Sequence, residues 1–258
     1  MANAQTFLDY RRSHVASGKP AAYHASFHDD PWRAFLWRRE QQILDAILAR
    51  WFPDRSPVHL DLACGTGRIL GHLLGRAAGS VGVDISPAML AKARQVLPHA
   101  RLVLGDITSP SMLPGQTFDL ITAFRFFANA QPELKLGALA NAVTHLNTGG
   151  IIVFNNHRPG SASLYRLARL LGKQPATMSL QETCGLIRTC GLEAAELWPV
   201  GVLPATDGHM LAPPALHRLA DSVACIAGVG KHLAQDLIFV CRRAPHAANS
   251  PASTGHKP

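Results

Sequence analysis

The chain has 258 residues, 47% of them hydrophobic and 16% charged, a balance that fills a core and excludes an intrinsically disordered chain. Its length suits one sizeable domain with an appended lobe. The formal net charge of +8 invites a nucleic-acid reading, but the excess is diffuse, with no basic run longer than the pairs Arg11-Arg12, Arg38-Arg39 and Arg242-Arg243, so specific nucleic-acid binding is not expected.

Asp30-Pro31 reads as an N-cap followed by proline at the first helical position. The helix behind it, Trp32 to about Trp51, gathers Phe35, Leu36, Ile43, Leu44, Ile47 and Leu48 on one side. Val58 to Leu62 is a short apolar run that breaks into Gly65-Thr66-Gly67, after which Ile69, Leu70, Leu73 and Leu74 recur at helical spacing. Strand, glycine turn and helix in this order place a nucleotide site beyond the carboxyl end of a parallel strand. A pyrophosphate-binding loop reads G-x-G-x-x-G, whereas the third position here is Leu70, and Asp61 ends the strand with a carboxylate that suits a cationic amine better than a phosphate.

Ser80 to Asp84 is a second strand, ending in an acid at the offset of a ribose-hydroxyl partner; Asp84 is alternatively the N-cap of a helix starting at Ser86-Pro87. Ala100 to Leu104 forms a third strand, closed by Gly105-Asp106-Ile107, and Phe118 to Phe124 a fourth. Arg125-Phe126-Phe127-Ala128-Asn129 then stands at a strand's carboxyl end, where ligands sit, although two core phenylalanines and a structural ion pair would look the same. Leu134 through Leu146 reads as a helix with Leu136, Leu139, Ala140, Val143 and Leu146 as its apolar stripe, followed by a turn at Gly149-Gly150 and a fifth strand, Ile151 to Phe154. That strand terminates in Asn155-Asn156-His157, and His157 is either a general base or a structural hydrogen-bonder. Residues 161–190 read as two helices broken at 172–175, and Gly191 to about Trp198 as a sixth strand. A loop with Pro199, Pro204, Pro213 and Pro214 follows, then a helix around Ala215 to Ile226 and a seventh strand from Asp236 to Cys241. Residues 244–258 are small, polar and proline-bearing, hence expected to be disordered.

Five cysteines, Cys64, Cys184, Cys190, Cys225 and Cys241, show no metal-binding spacing, so no metal is expected. The odd count without an apolar leader fits a reducing cytoplasm. Leu136 to His157 lacks Asp, Glu, Lys and Arg, but the polar and glycine residues within it exclude a membrane span.

Asp61-Leu62-Ala63-Cys64-Gly65-Thr66-Gly67, Asp84, Gly105-Asp106-Ile107, the Phe118 strand and the Gly149-Gly150 strand together resemble the class I S-adenosylmethionine-dependent methyltransferases of the bacterial small-molecule type, firmly over residues 55–157. The resemblance implies an α/β doubly wound, Rossmann-like sheet of seven mostly parallel strands, helices on both faces and the last strand antiparallel at the sheet edge. It implies a methyltransferase domain over 31–243, with substrate-side additions around 158–230 and residues 1–30 as an arm or lid. By the same resemblance S-adenosyl-L-methionine is the cofactor and a small molecule the methyl acceptor. Asp61, Ala63, Gly65, Thr66 and Gly67 would wrap the methionine end, Asp84 and Ile85 the ribose, and Met89, Gly105, Asp106 and Ile107 the adenine, with Ala123 and Phe124 closing the site. Arg125 and His157 would be catalytic, and Tyr23, Phe27, Phe127, Asn129 and Asn156 would face the acceptor. Two alternatives stand beside this: an NAD(P)-dependent oxidoreductase, because Gly65, Gly67 and Gly71 also fit a dinucleotide spacing, and a cofactor-binding regulator without catalysis.

Overall fold

The protein is described by a computed structural model over residues 25–27, 29–157, 178–203, 205–206, 209–210 and 212–245. Tyr23, most of the N-terminal arm, the helix break at 172–175 and the tail from 246 lie outside the described residues. In chain order the elements are α1 (Pro31–Trp51), β1 (Val58–Leu62), α2 (Arg68–Leu74), β2 (Gly79–Asp84), α3 (Pro87–Val96), β3 (Arg101–Leu104), β4 (Phe118–Ala123), α4 (Pro132–Thr144), β5 (Leu146–His157), α5 (Leu180–Thr189), β6 (Leu192–Val200), β7 (Ala205–Thr206), β8 (His209–Met210), α6 (Pro214–Ile226), α7 (Gly230–Leu233) and β9 (Asp236–Arg243).

The main sheet runs β3-β2-β1-β4-β5-β9-β6, parallel except for β9, which is antiparallel to both its neighbours. The order reverses between β1 and β4, and in an open α/β sheet that switch point sets the ligand crevice at the carboxyl ends of the parallel strands. Local sequence explains the entries. Asp30 accepts from the Arg33 N–H at 2.9 Å with Pro31 behind it, and Ser86 caps α3, so Asp84 is not that helix's cap. Alternating strand residues feed two cores. Leu120, Ile151, Val153, Ile238 and Val240 pack under α1 and α2, whereas Ile121, Ile152, Phe154, Phe239 and Cys241 pack under α4 and α5.

The structure corrects several sequence expectations. β9 is not an edge strand: its run Leu237 to Cys241 is buried on both faces and lies between β5 and β6, leaving β6, with Pro199 near its end, at the edge. Gly149-Gly150 is not a separate turn but part of the long β5, where a Cβ on Gly150 would meet the Asp119 carbonyl oxygen at 2.8 Å. Leu146 belongs to β5, paired with Phe118, and α4 buries Ala138, Leu139 and Ala142 while Leu136 faces outward. Finally, the expected proline loop carries a two-strand hairpin, β7 with β8.

Candidate active site

The β1–α2 loop is strained where it turns. Ala63 sits at φ 53° without the excuse of being glycine, and Arg125, at the end of the adjacent β4, sits at φ 63°. Two off-region residues on neighbouring strand ends mark the crevice as a built feature. Gly67 caps α2 at φ 82°, and a Cβ there would strike Leu97 at 2.7 Å, so this glycine serves close helix packing as well as the turn. Gly65 differs: nothing lies within 4 Å of its absent Cβ, so the loop opens outward at that point.

A glycine N-cap offers no side chain, and Asp61 replaces it from β1. Its Oδ2 accepts from the Leu70 N–H at 3.1 Å and its Oδ1 from the Thr122 hydroxyl at 2.7 Å. The carboxylate is buried, and both its oxygens are engaged within the fold. Burial pushes its pKa up to about 7, against the lowering influence of Thr122 and Arg68. When Asp61 is ionised, Thr122 donates to it and must accept from His59 Nε2–H (2.9 Å), leaving His59 Nδ1 to accept from Ser80 at 3.3 Å. The chain crosses β2, β1 and β4 beneath the loop.

Burial pushes His59 down from 6.5 to about 3, so the folded protein refuses a proton that the unfolded chain takes below 6.5. The stability this neutral histidine contributes is present above that pH and is lost on acidification, by about 1.4 kcal/mol per pH unit. Asp61, with its folded pKa raised, acts with the opposite sign and loses stability as pH rises from 3.8 toward about 7. In a His59→Gln variant the acid-side loss is expected to vanish, so urea unfolding between pH 7 and pH 5 should show the variant gaining on the wild type; parallel profiles would contradict the assignment.

Asp84 joins the loop to α3. Its Oδ2 accepts from the Gly65 N–H and its Oδ1 from the Ser86 N–H, both at 2.8 Å. A carboxylate offers about four acceptor positions, so these bonds fix its direction without exhausting it. Ile85 beside it is half-buried, and Met89 and Thr66 are buried. The Gly105 N–H donates to the Asp84 carbonyl at 3.0 Å, bringing the end of β3 alongside. There Asp106 Oδ1 accepts from both the N–H and the hydroxyl of Thr108, and Asn141 of α4 donates to the Ile107 carbonyl at 3.0 Å. Ala123 and Phe124 are buried where β4 ends.

The other half of the crevice is charged. Glu40 of α1, 1% exposed, pairs with Arg68 at the start of α2 and at 3.4 Å with Arg125. Asp236 lies 4.0 Å from the same Arg125. Asn155 ties the group together, accepting from the Arg125 N–H at 2.6 Å and donating to Asp236 Oδ2 at 2.9 Å. Burial raises the Asp236 pKa to about 6, and Arg125 opposes that rise. Phe27 stands 4.2 Å under the Arg68 guanidinium and 5.9 Å from that of Arg125. His157 faces Asp236 in the β5–β9 register, and Asn129 donates to the Arg125 carbonyl at 2.7 Å.

Two expected acceptor-side residues are elsewhere. Phe127 packs in the core, its ring 4.4 Å from that of Phe154, because the turn after Arg125 folds both phenylalanines inward. Asn156 faces the opposite side of β5 from Asn155 and donates to the Met178 carbonyl and the Thr183 hydroxyl, anchoring the start of α5. Glu40, Arg68, Thr122 and Asp236 went unflagged in the sequence. For Glu40 a signal exists: with Leu36, Ile43 and Ile47 it occupies one stripe, an acid at a core position. Among the described residues no group of three or more His, Cys, Asp or Glu side chains could hold a metal, and no helix is long and apolar enough to cross a membrane.

A family profile described as a methyltransferase domain matches residues 60–150. Methyltransferase-like protein 27 of Homo sapiens is 30% identical over 213 residues, spanning 76% of this chain and 78% of that protein. The dTDP-3-amino-3,4,6-trideoxy-alpha-D-glucopyranose N,N-dimethyltransferase of Streptomyces venezuelae is 34% identical over 113 residues, spanning 43% of this chain and 46% of that enzyme. The chain spans less than half the length of that enzyme and of others among its curated relatives. The crystal structure of magnesium protoporphyrin IX methyltransferase from Synechocystis PCC 6803 with bound S-adenosylhomocysteine superposes with a TM-score of 0.60 over 90% of this chain and 97% of that one. Its sequence identity is 14%, so it shows a shared fold.

Proposed function

Because the chain belongs to the class I S-adenosylmethionine-dependent methyltransferases, we propose that it methylates an oxygen or nitrogen of a small cytoplasmic molecule, with no specific nucleic-acid partner. A sugar precursor or natural product is the acceptor class we favour, since the relative from Streptomyces venezuelae is named for an amino sugar. The observation that carries the reading is Asp84, held by two backbone N–H groups at the rim of a loop whose Gly65 side is open. A carboxylate so fixed fits the two hydroxyls of a ribose, and an open glycine rim fits an amino-acid tail lying along the loop.

When bound, S-adenosylmethionine would supply an electrophilic methyl group on a sulfonium centre. Asp84 would accept from the ribose hydroxyls, Asp106 and the Ile107 N–H would meet the adenine, and Asp61 would hold the loop from behind through Leu70 and Thr122. Arg125 and Phe27 form a wall whose charge is fixed by Glu40 and Asp236, which orients the acceptor and limits water. His157, half-buried at the end of β5, would take the proton of an acceptor hydroxyl. In this proposal residues 31–243 carry the fold, the additions around 158–230 shape the acceptor side and residues 1–30 close over it.

Labelled methyl transfer from S-adenosylmethionine into lysate small molecules tests the activity, and a labelled product identifies the acceptor. On that acceptor His157→Ala is expected to lose about 10²-fold or more in turnover while cofactor affinity stays within about twofold. Unchanged turnover would remove His157 from the chemistry.

A further inference from the structure

Helix α6 is built inside out. Its inward face carries His217 and Asp221, both buried against α1 and the end of β6, where Asp221 accepts from the Val202 N–H at 2.9 Å and the His217 ring packs on Trp32 and Phe35. Its outward face carries Leu216, Leu219, Val223 and Ile226, exposed at 51, 60, 57 and 89%. Val229 and Leu233, also exposed, extend the strip past the turn into α7. Large aliphatics outward and ionisable groups inward is the reverse of what water selects for a surface helix.

The spacing of the four residues is three, four, three, the a/d seam of a helix that packs lengthwise on another helix. The strip exposes roughly 600 Å² of apolar surface, more than a monomer usually leaves in one patch. Two such strips facing each other would bury roughly 1,200 Å², enough for a specific interface. Arg218 is the one charged side chain that α6 turns outward, and the flanking positions are Ala215, Ser222 and Cys225. The strip carries no acid, and its exposed cations, Arg218 on α6 and Lys231 beside Leu233 on α7, are two and widely spaced rather than the Lys/Arg-rich polar face by which an amphipathic helix seats on lipid.

We infer that α6 is a homodimer interface, pairing antiparallel across a two-fold axis with α6 of a second copy of this chain. Antiparallel pairing about the middle of the seam sets Leu216 against the second copy's Ile226 and Leu219 against its Val223, so each contact occurs twice, as an isologous interface requires. The same arrangement lays Arg218 near the carboxyl end of the opposing helix, where a cation is favoured. Ser222 comes closest to its own counterpart.

Light scattering on the full chain is expected to give twice the chain mass, and a Leu219→Glu/Ile226→Glu double variant the single mass with an unchanged far-UV spectrum. Ser222→Cys is expected to form a reducible cross-linked dimer under mild oxidation that the wild type, with Cys225 nearby, does not form. A wild type that stays at the single mass, or a double variant that stays dimeric, overturns the inference. It is equally overturned by a double variant that unfolds while Ser222→Cys fails to cross-link, which would mean that the chain itself covers the strip. Flotation of a monomer with phosphatidylcholine vesicles overturns it as well.

Discussion

Replacing Asp84 by alanine is expected to weaken S-adenosylhomocysteine binding by roughly two to four orders of magnitude, because hydrogen bonds to a charged acceptor contribute about 1.5–3 kcal/mol each and the proposed ribose contact loses two. The substitution also strips the Gly65 and Ser86 N–H groups of their acceptor. The loop then loses the tie that joins it to α3, and preorganisation goes with it. Asp84→Asn separates the two effects. It keeps the size and one acceptor but faces one of the two N–H donors with an amide NH₂, so it should fall between wild type and alanine. Calorimetric affinities within twofold of wild type for both variants would remove Asp84 from the site.

The second large effect belongs to Glu40. This side chain is buried between two guanidinium groups, Arg68 at the start of α2 and Arg125 just past β4, so Glu40→Ala removes the anion between two cations in a poorly solvated crevice and leaves Arg125 with Asp236 at 4.0 Å. Breaking a buried ion pair on one side costs about 3–5 kcal/mol, mostly as the penalty of the charge left behind. At about 2–4 °C per kcal/mol for a domain of this size, the melting temperature should fall by roughly 10 °C. Combining Glu40→Gln with Arg68→Gln should cost less than the sum of the two single changes, because the double variant removes one of the stranded charges. A melting temperature within a degree or two of wild type for Glu40→Ala would show that the cluster is solvated and that Arg125 is not held by it.

The sequence displays the proposed cofactor half of this crevice better than the proposed acceptor half, and the reason is local. Asp61 to Gly67 and Asp84 stand at strand ends whose runs are short, apolar and followed by glycine or a capped helix, so spacing along the chain already implies proximity. Glu40, Arg125, Asn155 and Asp236 stand far apart in sequence: Arg125 and Asn155 meet because β4 pairs with β5, and Asp236 joins them because β9 pairs with β5 rather than standing at the edge. An apolar run such as Leu237 to Cys241 does not say which neighbours cover it, so sequence alone does not separate an edge strand from an inserted one. Phe127 and Asn156 neighbour Arg125 and His157 in sequence, yet each is turned away from them by one residue of alternation or one turn of backbone. His59 and Thr122 looked like ordinary strand residues, although a histidine flanked by apolar residues in a central strand must find polar partners.

Direct titration of the wild-type protein decides between a sulfonium nucleoside and a dinucleotide. With S-adenosylhomocysteine a saturable one-to-one heat is expected, and with NAD or NADP none, because Leu70 is buried where a pyrophosphate loop requires glycine, and Asp84 would in addition repel the 2′-phosphate of NADP. Saturable binding of NAD or NADP with no heat from S-adenosylhomocysteine would contradict the account.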